Sequence, residues 1–111
     1  THAAVALVER GAALLDRAVE VFFSGKDADR LLGEASIAVA EAKFLSSEAS
    51  IKVSEMIFRI GGASATSRQR NLDRHWRNAR THTTHDPVAY KARAVGDFYL
   101  NDALPPINTK I

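Results

Sequence analysis

Between Asp29 and Ile60 apolar side chains recur at helical spacing twice over, with no proline to interrupt them. Ala35, Ala38, Ala42, Leu45, Ala49, Val53, Met56 and Ile60 form one stripe. Ile37, Phe44, Ile51 and Phe58 form a second at a strict interval of seven. A helix with one apolar stripe needs one neighbour, whereas two stripes call for neighbours on two sides. The alanines allow those neighbours to approach closely. A lone helix pair would leave much of this surface wet, so the spacing favours a bundle whose outer face meets another subunit.

The flanking segments supply the other helices. Val8, Ala12, Leu15, Val19 and Phe22 recur at steps of four and three, which predicts a helix over 3–23 with these residues on one face. Ser24-Gly25 stops it, and Asp27 or Asp29 caps the long helix, which Gly61-Gly62 ends. Ser64 or Thr66 is then expected to cap a third helix over 65–80, with Leu72, Trp76 and Ala79 as its packing residues. A loop from Thr81 to Asp86 follows. Asp86-Pro87 opens a fourth helix to about Leu100, presenting Val88, Ala92, Val95 and Tyr99, before an irregular Pro105-Pro106 tail. No period-two alternation points to a sheet. The expected fold is all-α, an up-and-down four-helix bundle spanning residues 1–111.

Charge is distributed unevenly. Residues 1–60 hold seven Lys and Arg against nine Asp and Glu, while residues 61–111 hold eight against four. The basic half owes its charge mainly to arginine, which implies an anionic partner but is too modest to demand nucleic acid. The absence of cysteine excludes disulfides and thiolate metal sites and fits a reducing, cytoplasmic setting. No apolar run approaches the roughly 20 residues of a bilayer span, so no membrane partner is expected. Thr1 already lies in helical pattern, so the chain reads as a piece of something longer.

Chemistry concentrates in two places. Gly61-Gly62-Ala63-Ser64 joins a helix end to a helix start, and it reads either as ordinary capping or as a backbone cradle for phosphate. Arg70, Arg74 and Arg77 fall at i, i+4 and i+7, with Arg80 alongside. Such a row repels itself unless acidic residues or a bound anion lie against it. His75, His82 and His85 lack a Glu or Cys at useful spacing, so no metal site is assigned. Placed in a loop beside the arginines, His82 and His85 suit hydrogen bonding or acid/base work.

Three segments carry a resemblance. They are Phe58-Arg-Ile-Gly-Gly-Ala-Ser-Ala-Thr66, Leu72-Asp-Arg-His-Trp-Arg-Asn-Ala-Arg-Thr-His-Thr-Thr-His-Asp-Pro-Val88 and Tyr90-Lys-Ala-Arg-Ala-Val-Gly96. Together they resemble the C-terminal helical domain of acyl-CoA dehydrogenase-like flavoproteins, most nearly the flavin-dependent monooxygenase branch that includes dibenzothiophene monooxygenase and the sulfur-acquisition oxidoreductases. The likeness is specific over 58–100 and generic over 1–57.

The resemblance implies a larger enzyme with an N-terminal helical domain, a middle β-domain and this C-terminal bundle, assembled as a homotetramer. It implies FMN or FAD between bundle and β-domain, with contributions from an adjacent subunit. Gly61, Gly62, Ala63 and Ser64 would lie near the flavin phosphate, although the desulfurising relative has arginine where this chain has Ser64. Arg74, Arg77 and Arg80 would join the cofactor site. His82 and His85 would face the flavin ring and hydrogen-bond or protonate the C4a-(hydro)peroxyflavin. A separate flavin reductase, oxygen and a small sulfur-containing or aromatic substrate complete the expected partners.

Two other readings stay open. In the true dehydrogenases the base is a Glu in a Glu-Gly-Thr motif, where this chain has Thr84-His85-Asp86-Pro87 and no Glu after Glu55. That argues against hydride transfer from an acyl thioester to FAD without excluding it. The remaining reading is a non-catalytic helical module whose arginines hold nucleic acid or an acidic partner.

Overall fold

The computed structural model describes residues 1–106. It contains four α-helices, α1 (His2–Phe23), α2 (Asp29–Gly61), α3 (Asp73–His85) and α4 (Val88–Asn101), and a 3-10 turn at Ala63–Thr66. Among the described residues there is no strand, in line with the all-α expectation. No helix among them is long and apolar enough to cross a membrane.

The long helix organises everything else. At 33 residues, α2 is about 50 Å long and sets the greatest dimension of a 58 × 24 × 21 Å rod. α1 lies antiparallel along it: Arg10 meets Glu41, and a Cβ on Gly11 would sit 3.6 Å from the Ala38 backbone. α3 also runs antiparallel to α2, with His75 and Ala79 beside its C-terminal half and His82 against Lys43. α4 continues in the same direction as α3 rather than reversing. Its Ala92 and Val95 share a groove with Phe44 and Leu45, and the Asp102 that ends it reaches Arg30. The expected alternation of direction therefore holds from α1 to α3 and stops there. The link at Asp86 and Pro87 is too short to fold α4 back along α3, so both lie on α2 and barely touch each other.

Small residues make the contacts. Ala18 and Ala35 are fully buried, Ala38 and Ala40 nearly so, and Ile37 is the largest side chain wholly inside. On α1 the face against α2 is Leu7, Gly11, Leu14, Ala18 and Val21, in which Gly11 and Ala18 are buried and the rest half-buried. The stripe that periodicity singled out lies beside it and faces outward: Val8 is 52% exposed and Phe22 58%. Two seams of similar period lie next to each other on α1. Close helix approach selects the one with glycine and alanine, because bulky side chains would hold the axes apart. The outer stripe of α2 behaves likewise, buried through Ala42 but exposed at Val53, Met56 and Ile60.

Polar links tie the rod crosswise. The half-buried Glu41 carboxylate accepts from Arg10 of α1 and from the Tyr99 hydroxyl of α4, the latter at 2.7 Å. Arg30 donates to both Asp102 oxygens at 3.0 and 3.2 Å, joining the start of α2 to the end of α4. Through those bonds and its charge, Arg30 holds the Asp102 carboxyl below its ordinary value. A depressed carboxylate adds stability above the unfolded group's pKa, and that contribution is lost as pH falls through the folded one. At the α1–α2 corner Gly25 takes φ +77, and Asp27 accepts from the Asp29 amide at 3.0 Å, so Asp27 serves the helix start although Ala28 is the capping residue.

This division of the apolar residues has a direct test in urea unfolding of the chain. Ile37→Ala is expected to cost about 3 kcal/mol, as for other fully buried aliphatic truncations. Val8→Ser on the outward stripe is expected to change stability by less than about 0.5 kcal/mol.

Candidate functional site

The two segments singled out by their chemistry are both positioned by α2, one at its C-terminal end and the other alongside its C-terminal half as far as Lys43. At its end, Gly62 adopts φ +60 and ψ −158, a conformation that suits glycine. Gly61 is required for a different reason: a Cβ there would lie 2.7 Å from that of Ala65. The 3-10 turn is thereby folded down onto the helix end, and Ala65 is buried. Ser64 and Thr66 do not cap a following helix. Their hydroxyls donate to the carbonyls of Gly61 at 3.0 Å and Ala63 at 2.8 Å. Among the described residues, the amides of Ala63 and Ser64 donate no backbone bond outside the helices. They are the loop's available anion donors.

The third helix starts later and ends later than its sequence pattern suggested. Asn71 sits at φ +48, which breaks the backbone direction, so α3 begins at Asp73 rather than near Ala65. Arg70 therefore stands in a turn and does not share a helix face with Arg74 and Arg77. Residues Thr81 to His85, expected as a loop, form the last turns of α3. No glycine or proline intervenes before Pro87. The Thr81, Thr83 and Thr84 hydroxyls bond back to carbonyls of Arg77 and Arg80, so they satisfy themselves within the helix. His82 and His85 are thus helical residues one turn apart, both exposed.

The arginines divide by what they touch. Arg77 donates to the Asp73 carboxylate and, at 3.1 Å, to the Asn71 side-chain oxygen Oδ1, so it anchors the start of α3. Arg80 lies over the Trp76 ring, 5.6 Å from its centre. Trp76 itself is 38% exposed, so within this chain it packs against Arg80 and is not a core residue. Arg74 forms no ion pair among the described residues and, with Arg80, is available to an anion.

The histidines meet partners that the spacing did not reveal. Lys43 of α2 approaches His82, with Nζ 2.8 Å from Nε2. Lys43 also lines a shallow groove between α1 and α2 with Val8, Ala12 and Ser46. A neighbouring apolar groove of about 660 Å³ lies between α1 and α3 and includes Val5, Val53, Ile57, Ala79 and His75. His75, Ala79 and His82 thus share the side of α3 turned to α2. At the α3–α4 link, Lys91 is 6% exposed and its ammonium stands 3.4 Å from an Asp86 oxygen. Asp86 consequently binds Lys91 and makes no side-chain capping bond, and Pro87 occupies the position before the first helical residue. A buried lysine is invisible to hydrophobic periodicity. Its signal is Asp86 followed five positions later by Lys91 across a helix start.

The glycine loop and His82 do not come together within one chain. Gly61 lies eighteen residues beyond Lys43 on α2, about 27 Å along the helix axis. Among the described residues the histidines and acids form no group of three able to hold a metal ion.

Comparison with known proteins gives this geometry a context. Residues 1–90 match the family described as acyl-CoA dehydrogenase, C-terminal domain. A probable FMNH2-dependent monooxygenase of Pseudomonas putida is 37% identical over 99 residues, covering 89% of this chain and 25% of that protein. Dibenzothiophene monooxygenase of Mycolicibacterium goodii is 41% identical over 73 residues, covering 66% of this chain and 18% of its own length. Among solved structures, methanesulfinate monooxygenase from Pseudomonas fluorescens superposes with a TM-score of 0.84 at 37% identity, over 99% of this chain and 28% of that one. An FMN-bound dibenzothiophene monooxygenase from a Paenibacillus species gives 0.71 at 33% identity, over 100% and 31%. The chain spans about a quarter of the length of the first of these relatives.

The Lys91–Asp86 pair generates a stability test. Asp86→Ala leaves a buried ammonium without its carboxylate and is expected to cost about 2 kcal/mol in denaturant unfolding, the pair being open to solvent on the Asp86 side. Adding Lys91→Met is expected to recover most of that loss.

Proposed function

Because this chain belongs to the acyl-CoA dehydrogenase C-terminal domain family, we propose that it is the C-terminal helical domain of a larger reduced-FMN monooxygenase acting on a small sulfur-containing or aromatic substrate. The observation that carries the reading is the histidine-bearing end of α3. It presents two imidazoles one turn apart beside an uncommitted arginine, in a chain whose relatives include FMNH2-dependent and dibenzothiophene monooxygenases.

The residues present fit a flavin. Exposed guanidinium groups at Arg74 and Arg80 and the free amides of Ala63 and Ser64 are donors suited to phosphate. Arg77, committed to Asp73 and Asn71, supports the helix that carries the others. When bound, reduced FMN supplies the two electrons that let dioxygen give one atom to the substrate and the other to water. His82 would donate a hydrogen bond beside that chemistry, and His85 would deliver a proton as oxygen is reduced. The histidine end and Gly61 to Ser64 are about 27 Å apart, more than one FMN spans from ring to phosphate. Each end therefore serves a different flavin of an assembled oligomer, a homotetramer in this proposal. The outward apolar stripes of α1 and α2 are then covered by the enzyme's other domains and by neighbouring copies. A separate reductase supplies the reduced flavin.

His85→Ala in the complete enzyme tests the assignment. Flavin affinity is expected to stay within about threefold, and product formation from reduced FMN, oxygen and substrate to fall about 100-fold. Unchanged turnover would remove His85 from the site. Reduction of a dye acceptor by an acyl-CoA without oxygen uptake would replace the monooxygenase reading with dehydrogenation.

A further inference from the structure

We propose that Lys43 is a positioning residue for His82, fixing which ring nitrogen carries the proton. The inference rests on the proposed role of His82 and extends it to a residue that no sequence spacing singled out. The Lys43 ammonium carries three N–H donors and no lone pair, so at 2.8 Å from Nε2 it can only donate. Nε2 must then be the bare nitrogen of a neutral imidazole, and the proton resides on Nδ1. The ring is left with one donor, at Nδ1, instead of exchanging between two tautomers.

The surroundings suit this task. Lys43 is half-buried in the groove between α1 and α2, flanked by Val8, Gly11, Ala12 and Ala42, and no carboxylate ion-pairs with it among the described residues. The acid two positions before it, Glu41, is committed to Arg10 and Tyr99. The ammonium therefore has His82 as its side-chain partner. Because α2 is the rigid axis of the domain, a donor mounted on it fixes the angle of an imidazole carried by the exposed end of α3. A ring held by one nitrogen presents the other in a constant direction, which free rotation about the side-chain bonds would not provide.

The test uses the complete enzyme, labelled with ¹⁵N at histidine, with Lys43→Met and Lys43→Arg beside the parent. In the parent and in Lys43→Arg, the His82 resonances are expected to show a protonated Nδ1 and a bare Nε2. In Lys43→Met, which keeps an unbranched side chain one atom shorter and removes the donor, they are expected to average between tautomers. Product formed per reduced FMN consumed is expected to fall about tenfold in Lys43→Met and to recover in Lys43→Arg, with flavin affinity unchanged. An unaltered His82 tautomer in Lys43→Met overturns the inference. A tautomer that shifts in Lys43→Met, in an enzyme where His82→Ala turns over normally, supports the pairing and instead removes His82 from the proposed chemistry.

Discussion

Close contact between glycine and alanine faces along α2 is the constraint from which the rest of this domain follows. Helices that meet through Gly11, Ala18, Ala35 and Ala38 approach closely and bury little bulk, so among the described residues Ile37 is the one large side chain wholly buried. The larger apolar residues are displaced outward, onto Val8, Phe22, Val53 and Ile60. A domain built this way is rigid along its axis and apolar on its flanks. Apolar flanks of this extent mark surfaces suited to contact with other protein.

The same arrangement explains where the chemistry sits. An axis helix about 50 Å long separates its two chemically distinctive regions. The glycine turn is at its C-terminal end, while Lys43, near its middle, reaches His82. Charged side chains between α1, α2 and α4 are partnered, Glu41 by Arg10 and Tyr99 and Arg30 by Asp102. His85, Arg74 and Arg80 are left exposed, while His82 lies against Lys43. A cofactor laid on this surface would meet donors already oriented by helices, which limits reorganisation when charge develops.

Much of the fold was legible in the sequence. Periodicity identified four helices, and Ser24-Gly25 and Gly61-Gly62 marked two helix ends closely, because glycine at a helix end has a local backbone cause. Periodicity did not tell which of two adjacent seams on α1 would be buried, since packing distance decides that and hydrophobicity alone favours the bulkier seam. The extent of α3 was misjudged for two reasons. Asn71 adopts a positive φ without being glycine, and threonines near His82 and His85 can bond back into a helix as readily as they form a loop. Lys43 was missed because contacts between helices leave no regular spacing in the chain, and Lys91 because hydrophobic periodicity does not register a buried ammonium.

The family and the histidine-bearing segment were recognisable from residues 58–100, yet the pairing that orients His82 required the packing of α3 on α2. The measurement that bears most directly on the whole account is a crystal structure of the complete enzyme with FMN bound. The account predicts the His82 and His85 rings within hydrogen-bond reach of one flavin's ring system, Lys43 still on His82, and Gly61 to Ser64 beside the phosphate of another flavin. A flavin whose ring lies away from the end of α3, with both imidazoles in bulk solvent or packed in hydrocarbon, would contradict it.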